Sequence, residues 1–248
     1  EPAAAIVAVP VASRNTLTAD ANVAGQAITD FGFDLFAAVR SESQPGDNVT
    51  VSPASVAFAL AMLEPGTVGE AQSQLRDLLR IEDPTAFHAS MNALEQSLEA
   101  RVPTTFSPDD DPGEVLMRVA NAAYLQQGYP FEPAYLEKVG ADYGPVLNEV
   151  DFAADPDAVA HAINAFVAEA TNDRIPQLVA DGAIDPATVL ALVNALYLKA
   201  SWLTTFDAAQ TTAQTFTLLD RAEKTVQMMH GGSDSSASGD GWIGATKT

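Results

Sequence analysis

The chain has 248 residues, 47% of them hydrophobic, enough for a substantial core and too apolar for a disordered segment. Its 33 acidic residues against 12 basic ones leave a net charge of −21, a polyanion that repels nucleic acid and anionic membrane surfaces and excludes both as partners. The absence of cysteine excludes disulfides, thiol catalysis and Cys-based metal sites together, and no run of about 18 apolar residues offers a membrane span.

Residues 1–26 open on a short apolar stretch without a basic leader, which reads as the irregular start of a mature chain rather than a signal peptide. Ala27 to Val39 places Ile28, Phe31, Leu35, Phe36 and Val39 on one helical face. Val49 to Val51 reads as a short strand. Ser52 is a candidate helix cap and Pro53 suits the first helical position, so Ala54 to Leu63, apolar nearly all round, is expected to be a buried central helix. Thr67 to Glu70 fits a capping box for a helix whose inner face is Leu75, Leu78, Leu79 and Ile81. Asp83-Pro84 opens another helix, with Phe87, Met91, Leu94 and Leu98 in a stripe. Pro103 to Glu114 reads as an exposed loop; its Asp109 to Asp111 run lacks the alternating ligand spacing of a calcium loop, and no metal is expected there.

Beyond the loop, Val115 to Leu125 and Pro145 to Phe152 read as strands, and Pro133 to Tyr143 as a short helix. Asp155-Pro156 starts a helix with Val159, Ile163, Phe166 and Val167 at helical spacing. Thr188 to Leu198 is the strongest strand, continuously apolar and therefore expected to be buried on both faces. Gln214 to Leu219 and Lys224 to Met229 form a strand pair, and Gly231 to Gly241 a polar loop. Helices first and mixed strands later predict a single α+β domain.

Catalytic signals are weak. His88, His161 and His230 lie in separate elements with no ligand or catalytic spacing, and read as ordinary part-buried or surface imidazoles. Gly239 to Gly244 satisfies G-x-G-x-x-G but lacks the strand and helix that the motif requires. Asn48 to Thr50 matches a glycosylation sequon, at a place where a glycan would obstruct packing. The informative residues are polar ones in apolar stretches. Ser52 and Ser55 mark one end of the buried helix, and Asn194 interrupts the buried strand. An unpaired Asn there costs about 1–3 kcal/mol, so Asn194 is expected to hydrogen-bond a neighbour such as the serine pair. Trp202 is large enough to anchor a sheet edge.

Several segments, in order and spacing, resemble the serpin family of suicide inhibitors of serine proteases. Asn48 to Leu63 is similar to strand 6B entering helix B, Gly66 to Glu70 to the turn before the next helix, and Val119 to Leu125 to strand 2A. Ile163 to Asn172 with Ile175 to Val179 is similar to helix F and its exit, Val193 to Trp202 with Phe206-Asp207 to strand 3A, and Lys224 to His230 to the strand ending in paired methionines. The residues after Trp202 depart from the family pattern, being Leu-Thr-Thr where a charged residue and a Pro are common.

The resemblance implies a serpin-like α+β fold, with N-terminal helices packed on a mixed sheet A and partial sheets B and C. It divides the chain into an irregular segment, 1–26, and a partial serpin domain, 27–248. It assigns Ser52, Ser55 and Asn194 to the shutter beneath sheet A, and Trp202 to the breach where the reactive loop enters. No catalytic residue, metal or cofactor is implied: the serpin is a substrate-like inhibitor, not an enzyme. Its partner is a serine or cysteine protease, which cleaves an exposed loop that then inserts beside strand 3A. Strand 5A, the hinge and the reactive centre have no counterpart before Thr248, so the chain by itself is expected to be truncated and inactive. It is also expected to self-associate through open sheet edges. An extracellular location and, as the alternative function, a non-inhibitory serpin-fold carrier complete the expectations. An unrelated hydrolase would need a nucleophile–base pair that the sequence does not offer.

Overall fold

Proline fixes the start of four helices. Pro53, Pro84, Pro133 and Pro156 each occupy a first helical position, where the missing N–H costs nothing. Asp83 accepts from the N–H groups of Thr85 and Ala86, Asp155 from that of Ala158, and Ser52 from that of Ser55. The helices that follow are α2 (Pro53–Leu63), α4 (Pro84–Glu99), α5 (Pro133–Tyr143) and α6 (Pro156–Ala170). These elements belong to a computed structural model that describes residues 6–10, 13–16, 19–44, 46–100, 116–200, 202, 206–218 and 220–230. The expected loops at 103–114 and 231–241, and the Gly239 to Gly244 pattern, lie outside the described residues.

The chain divides into two compact units, each described by itself. The larger (Glu1–Phe106 and Leu116–Lys199) holds α1 (Asn22–Glu42), α2, α3 (Gly69–Leu78) and α4 to α6. Its sheet contains β1 (Val7–Ala8), β2 (Leu116–Gln126), β3 (Val146–Val150) and β4 (Leu190–Lys199). The strand order is β1-β3-β2-β4. β2 and β3 are parallel, joined across α5, whereas β4 returns antiparallel to β2 after α6. One sheet face packs Val119, Leu192 and Leu196 against Phe31, Phe58, Met62, Met91 and Tyr143. The other packs Ala122, Val193 and Ala195 against Val159, Ile163 and Val167 of α6. In the smaller unit, β5 (Thr212–Thr217) and β6 (Glu223–Met228) form an antiparallel hairpin.

α1 has no side-chain cap of its own. The N–H of Ala24 instead donates to Ser90 Oγ on α4 at 2.8 Å, and that hydroxyl donates to Asp20 O at 2.6 Å. Within the stretch expected to be irregular, Val7 and Ala8 pair with Glu149 and Asn148.

Several expectations need correction. Residues 49–51 form no strand among the described residues, because no strand lies beside them. The capping box does not form: Thr67 Oγ1 donates to Glu64 O, closing the 3-10 turn Glu64–Gly66, and Val68 precedes α3 without a side-chain cap. Nothing on α3 itself is buried; Leu79 and Ile81, beyond its end, enter the core. Phe36 and Val39 of α1 are exposed. α2 is buried on one face only, with Val56 outward.

Strand β4 is packed on both faces, as its apolar run predicts, but only Val193 and Ala195 are fully buried in it, because among the described residues it has a neighbouring strand on one flank only. The N–H of Gln126 donates to Val189 O at 2.9 Å, which makes 126 and 189 a hydrogen-bonded pair in a register that pairs Leu116 with Lys199. Alternation along an antiparallel ladder then turns the N–H and C=O groups of Leu190, Leu192, Asn194, Leu196 and Leu198 away from β2. Among the described residues nothing pairs with them.

An edge of this length promotes association with other chains. The 248-residue chain is expected to form larger species as concentration rises, read by light scattering. Leu198→Pro, which removes an outward N–H without touching the β2 ladder, is expected to reduce that association while leaving the circular dichroism spectrum unchanged.

Candidate functional site

Asn194 sits at the middle of β4, directly opposite Asn121 of β2. The two form a non-hydrogen-bonded pair of the ladder, the kind whose side chains approach most closely. Asn194 Nδ2 donates to Asn121 Oδ1 at 2.8 Å, and Asn121 Nδ2 donates to Glu95 Oε1 at 2.9 Å. Glu95, on α4, is 2% exposed. Its second oxygen lies 2.8 Å from Arg14 Nη2, an ion pair outside hydrogen-bonding geometry. Arg14 is steadied by donating from Nε to Asn92 Oδ1 at 2.9 Å, with Glu99 3.6 Å from Nη1.

The relay has a direction. With Glu95 Oε1 as the acceptor, Asn121 presents its amide N–H to Glu95 and its carbonyl to Asn194. Asn194 must in turn present its N–H to Asn121. That leaves Asn194 Oδ1 as a buried acceptor with no hydrogen-bond partner among the described residues, on the strand whose other edge is open. Burial is the main influence on Glu95 and pushes its carboxyl up to about 8, against the opposing pull of Arg14.

The serine pair does not join this relay. Ser52 Oγ donates to Ser55 Oγ at 2.9 Å, and neither hydroxyl bonds Asn194. Asn194 does hydrogen-bond a polar neighbour, but that neighbour is Asn121, directly across the ladder, rather than the serine pair. Trp202 belongs to the smaller unit, where it is 64% exposed with its ring edge-on to Phe206.

A second buried line forms around His88, which is fully buried rather than a part-buried or surface imidazole. Burial, the largest influence, lowers its pKa and keeps the ring neutral; burial also raises the Tyr143 phenol well above its usual value. The phenol O–H therefore donates to His88 Nδ1, and His88 Nε2–H donates to Glu64 Oε2 at 3.0 Å. Arg76 Nε donates to Glu64 Oε1 at 2.6 Å. A carboxylate–imidazole–phenol line of this kind could move a proton, but the imidazole and phenol have no exposed surface to offer a substrate. His161 is exposed on α6. Among the described residues no group of three or more His, Asp or Glu is placed to hold a metal.

Glu95, Asn121 and Glu64 were not singled out from sequence as site residues. Glu95 carries a readable signal, since it continues the Phe87–Met91 spacing as a carboxylate on an apolar face. Asn121 repeats the pattern of Asn194, one amide in an apolar strand.

A family model described as Serpin (serine protease inhibitor) matches residues 26–240. Over 202 residues the chain is 35% identical to the leukocyte elastase inhibitor of Sus scrofa, covering 82% of this chain and 50% of that protein. It is 33% identical to the Homo sapiens protein of the same name, with the same coverage. The structure of emu (Dromaius novaehollandiae) ovalbumin superposes with a TM-score of 0.71 at 26% identity, over 83% of this chain and 54% of that one. Cleaved kallistatin complexed with heparin gives 0.71 at 27% identity, over 84% and 58%. The chain spans about half the length of the curated relatives it matches.

Two outcomes test the relay. Asn121→Ala strands both Glu95 Oε1 and Asn194 Nδ2 and is expected to lower stability by about 2–4 kcal/mol in urea denaturation. The second concerns pH. The folded-state carboxyl of Glu95 titrates near 8 against a reference of 4.5, so the folded chain holds a proton that the unfolded chain releases. The stabilisation from this group is complete below about 4.5 and is lost as pH rises toward 8, a change on the order of a few kcal/mol. Glu95→Gln, which keeps the acceptor and removes the titration, is expected to flatten the stability profile across that window.

Proposed function

The chain belongs to the serpin family, and from that premise we propose that the whole protein inhibits serine or cysteine endopeptidases as a suicide substrate. The protease nucleophile attacks a peptide carbonyl of an exposed loop, the peptide bond breaks, and an acyl ester or thioester joins enzyme and inhibitor. The cleaved loop then enters the sheet beside β4, carrying the acyl-enzyme with it before water can release it. The protein takes part as a substrate-like inhibitor rather than as an enzyme. The names of the relatives, leukocyte elastase inhibitors, support a serine protease as partner.

The observation that carries this reading is an Asn194 Oδ1 without a hydrogen-bond partner, on a strand whose outer edge is unpaired, both among the described residues. An arriving strand supplies backbone partners to Leu190, Leu192, Asn194, Leu196 and Leu198, and a donor side chain for the Asn194 carbonyl. Ser52, Ser55 and Asn194 take the shutter role and Trp202 the breach role; Asn121 and Glu95 fix the orientation of the Asn194 amide. The extracellular location expected from the sequence finds no support among the relatives, and inhibition of this kind does not depend on it. No helix among the described residues is long and apolar enough to cross a membrane.

A protein extended to the full length of its relatives, incubated with a panel of serine and cysteine proteases that includes an elastase, is expected to form a covalent complex that survives denaturing electrophoresis. The 248-residue chain alone is expected to form none. A full-length protein that is only cleaved, or left intact, by every protease in the panel would overturn the inhibitory reading.

A further inference from the structure

The open edge of β4 ends at a cleft of about 350 Å³, lined by residues 196–199 of the strand and by Thr171, Arg174 and Ile175 after α6. The turn that presents Arg174 is firmly built. Asn172 and Asp173 adopt left-handed φ angles of 56° and 58°. Thr171 Oγ1 donates to Val167 O at 2.7 Å and accepts from the Ile175 N–H at 3.1 Å. Lys199 follows Ala195 and Tyr197 at the two-residue period of the strand, on the α6 side of the sheet.

Cations are scarce in this chain, 12 against 33 acidic residues. Arg14, Arg76, Arg80 and Lys138 each meet a carboxylate, and Arg118 donates to Glu169 O at the end of α6. Arg174 and Lys199 have no ion pair and no side-chain hydrogen bond among the described residues, and both line this cleft. Two unpaired cations at one end of a free edge create a local field opposite in sign to the chain as a whole.

We propose that the segment accepted at the β4 edge is an acidic peptide strand, with an Asp or Glu side chain lying between Arg174 and Lys199. The proposal rests on the strand-accepting reading of β4 given above and adds a chemical requirement to it. The requirement is specific to one face. Side chains of an added strand alternate, so only a carboxylate on the α6 face reaches the two cations, and a shift of one residue turns it to the opposite side.

The test uses eight-residue peptides of alternating Val and Thr, blocked at both ends and fluorescently labelled, titrated into the 248-residue protein at low salt. A single Glu is placed near one end or the other to cover both strand directions, and each peptide has a Gln counterpart. One Glu peptide is expected to bind about fivefold more tightly than its Gln counterpart, the scale of an exposed carboxylate meeting cations. Moving the Glu by one residue, or raising salt, is expected to remove the preference. In the Arg174→Gln/Lys199→Gln protein the two peptides are expected to bind alike. Both altered residues are exposed, and the Glu–Gln comparison in the unaltered protein does not depend on the variant folding. Equal affinities in the unaltered protein overturn the acidic requirement and leave the open edge standing. Preference retained in the double variant overturns the assignment to Arg174 and Lys199. No binding of any peptide overturns the strand-accepting reading and this proposal with it.

Discussion

Strand β4 is hydrogen-bonded along its length to β2 and, among the described residues, to nothing on its other side. This one-sided pairing governs much of the larger unit. It explains why a continuously apolar strand is only half-buried, because a last strand has neighbours on one flank. It also gives the relay from Arg14 through Glu95 and Asn121 a place to end. Each amide of the relay donates inward, Asn194 to Asn121 and Asn121 to Glu95, and the final carbonyl therefore faces whatever comes next to β4.

Much of the local structure was legible in the sequence because its causes are local. A capping side chain followed by proline placed the starts of α2, α4 and α6 to within a residue, and apolar spacing picked out Phe87, Met91, Val159, Ile163 and Val167 as core. What escaped was set by partners distant in the chain. Composition cannot tell a central strand from a last strand, since both are apolar; only the pairing shows that β4 has β2 on one flank and, among the described residues, nothing on the other. The partner of Asn194 is 73 residues away and was decided by ladder register rather than by the nearest polar pair. Thr67 had the right spacing for a capping box, yet the carbonyl of Glu64, a residue held from two sides by Arg76 and His88, took its hydroxyl proton instead.

Two of the buried carboxylates, Glu64 and Glu95, meet the cost of burial differently. Glu64 receives one donor on each oxygen, from Arg76 and His88, so both of its oxygens are hydrogen-bonded by the protein itself. Glu95 has an amide donor on one oxygen and a poorly aligned guanidinium at the other, and burial dominates its titration. The first arrangement fastens the turn after α2 to α3, α4 and α5. The second lies under the sheet, where a change of charge would reach the amides of two adjacent strands.

The attachment of α1 to α4 has a bearing on how the chain is made. The hydroxyl that closes the first turn of α1 belongs to Ser90, 66 residues after the Ala24 amide that it serves. At a synthesis rate of about 5–20 residues per second, α1 leaves the ribosome roughly 3–13 s before its cap exists. Throughout that interval the Ala24 amide lacks its acceptor and the part of the helix that packs on α4 lacks its neighbour, so the nascent segment is one for a chaperone to hold until α4 arrives.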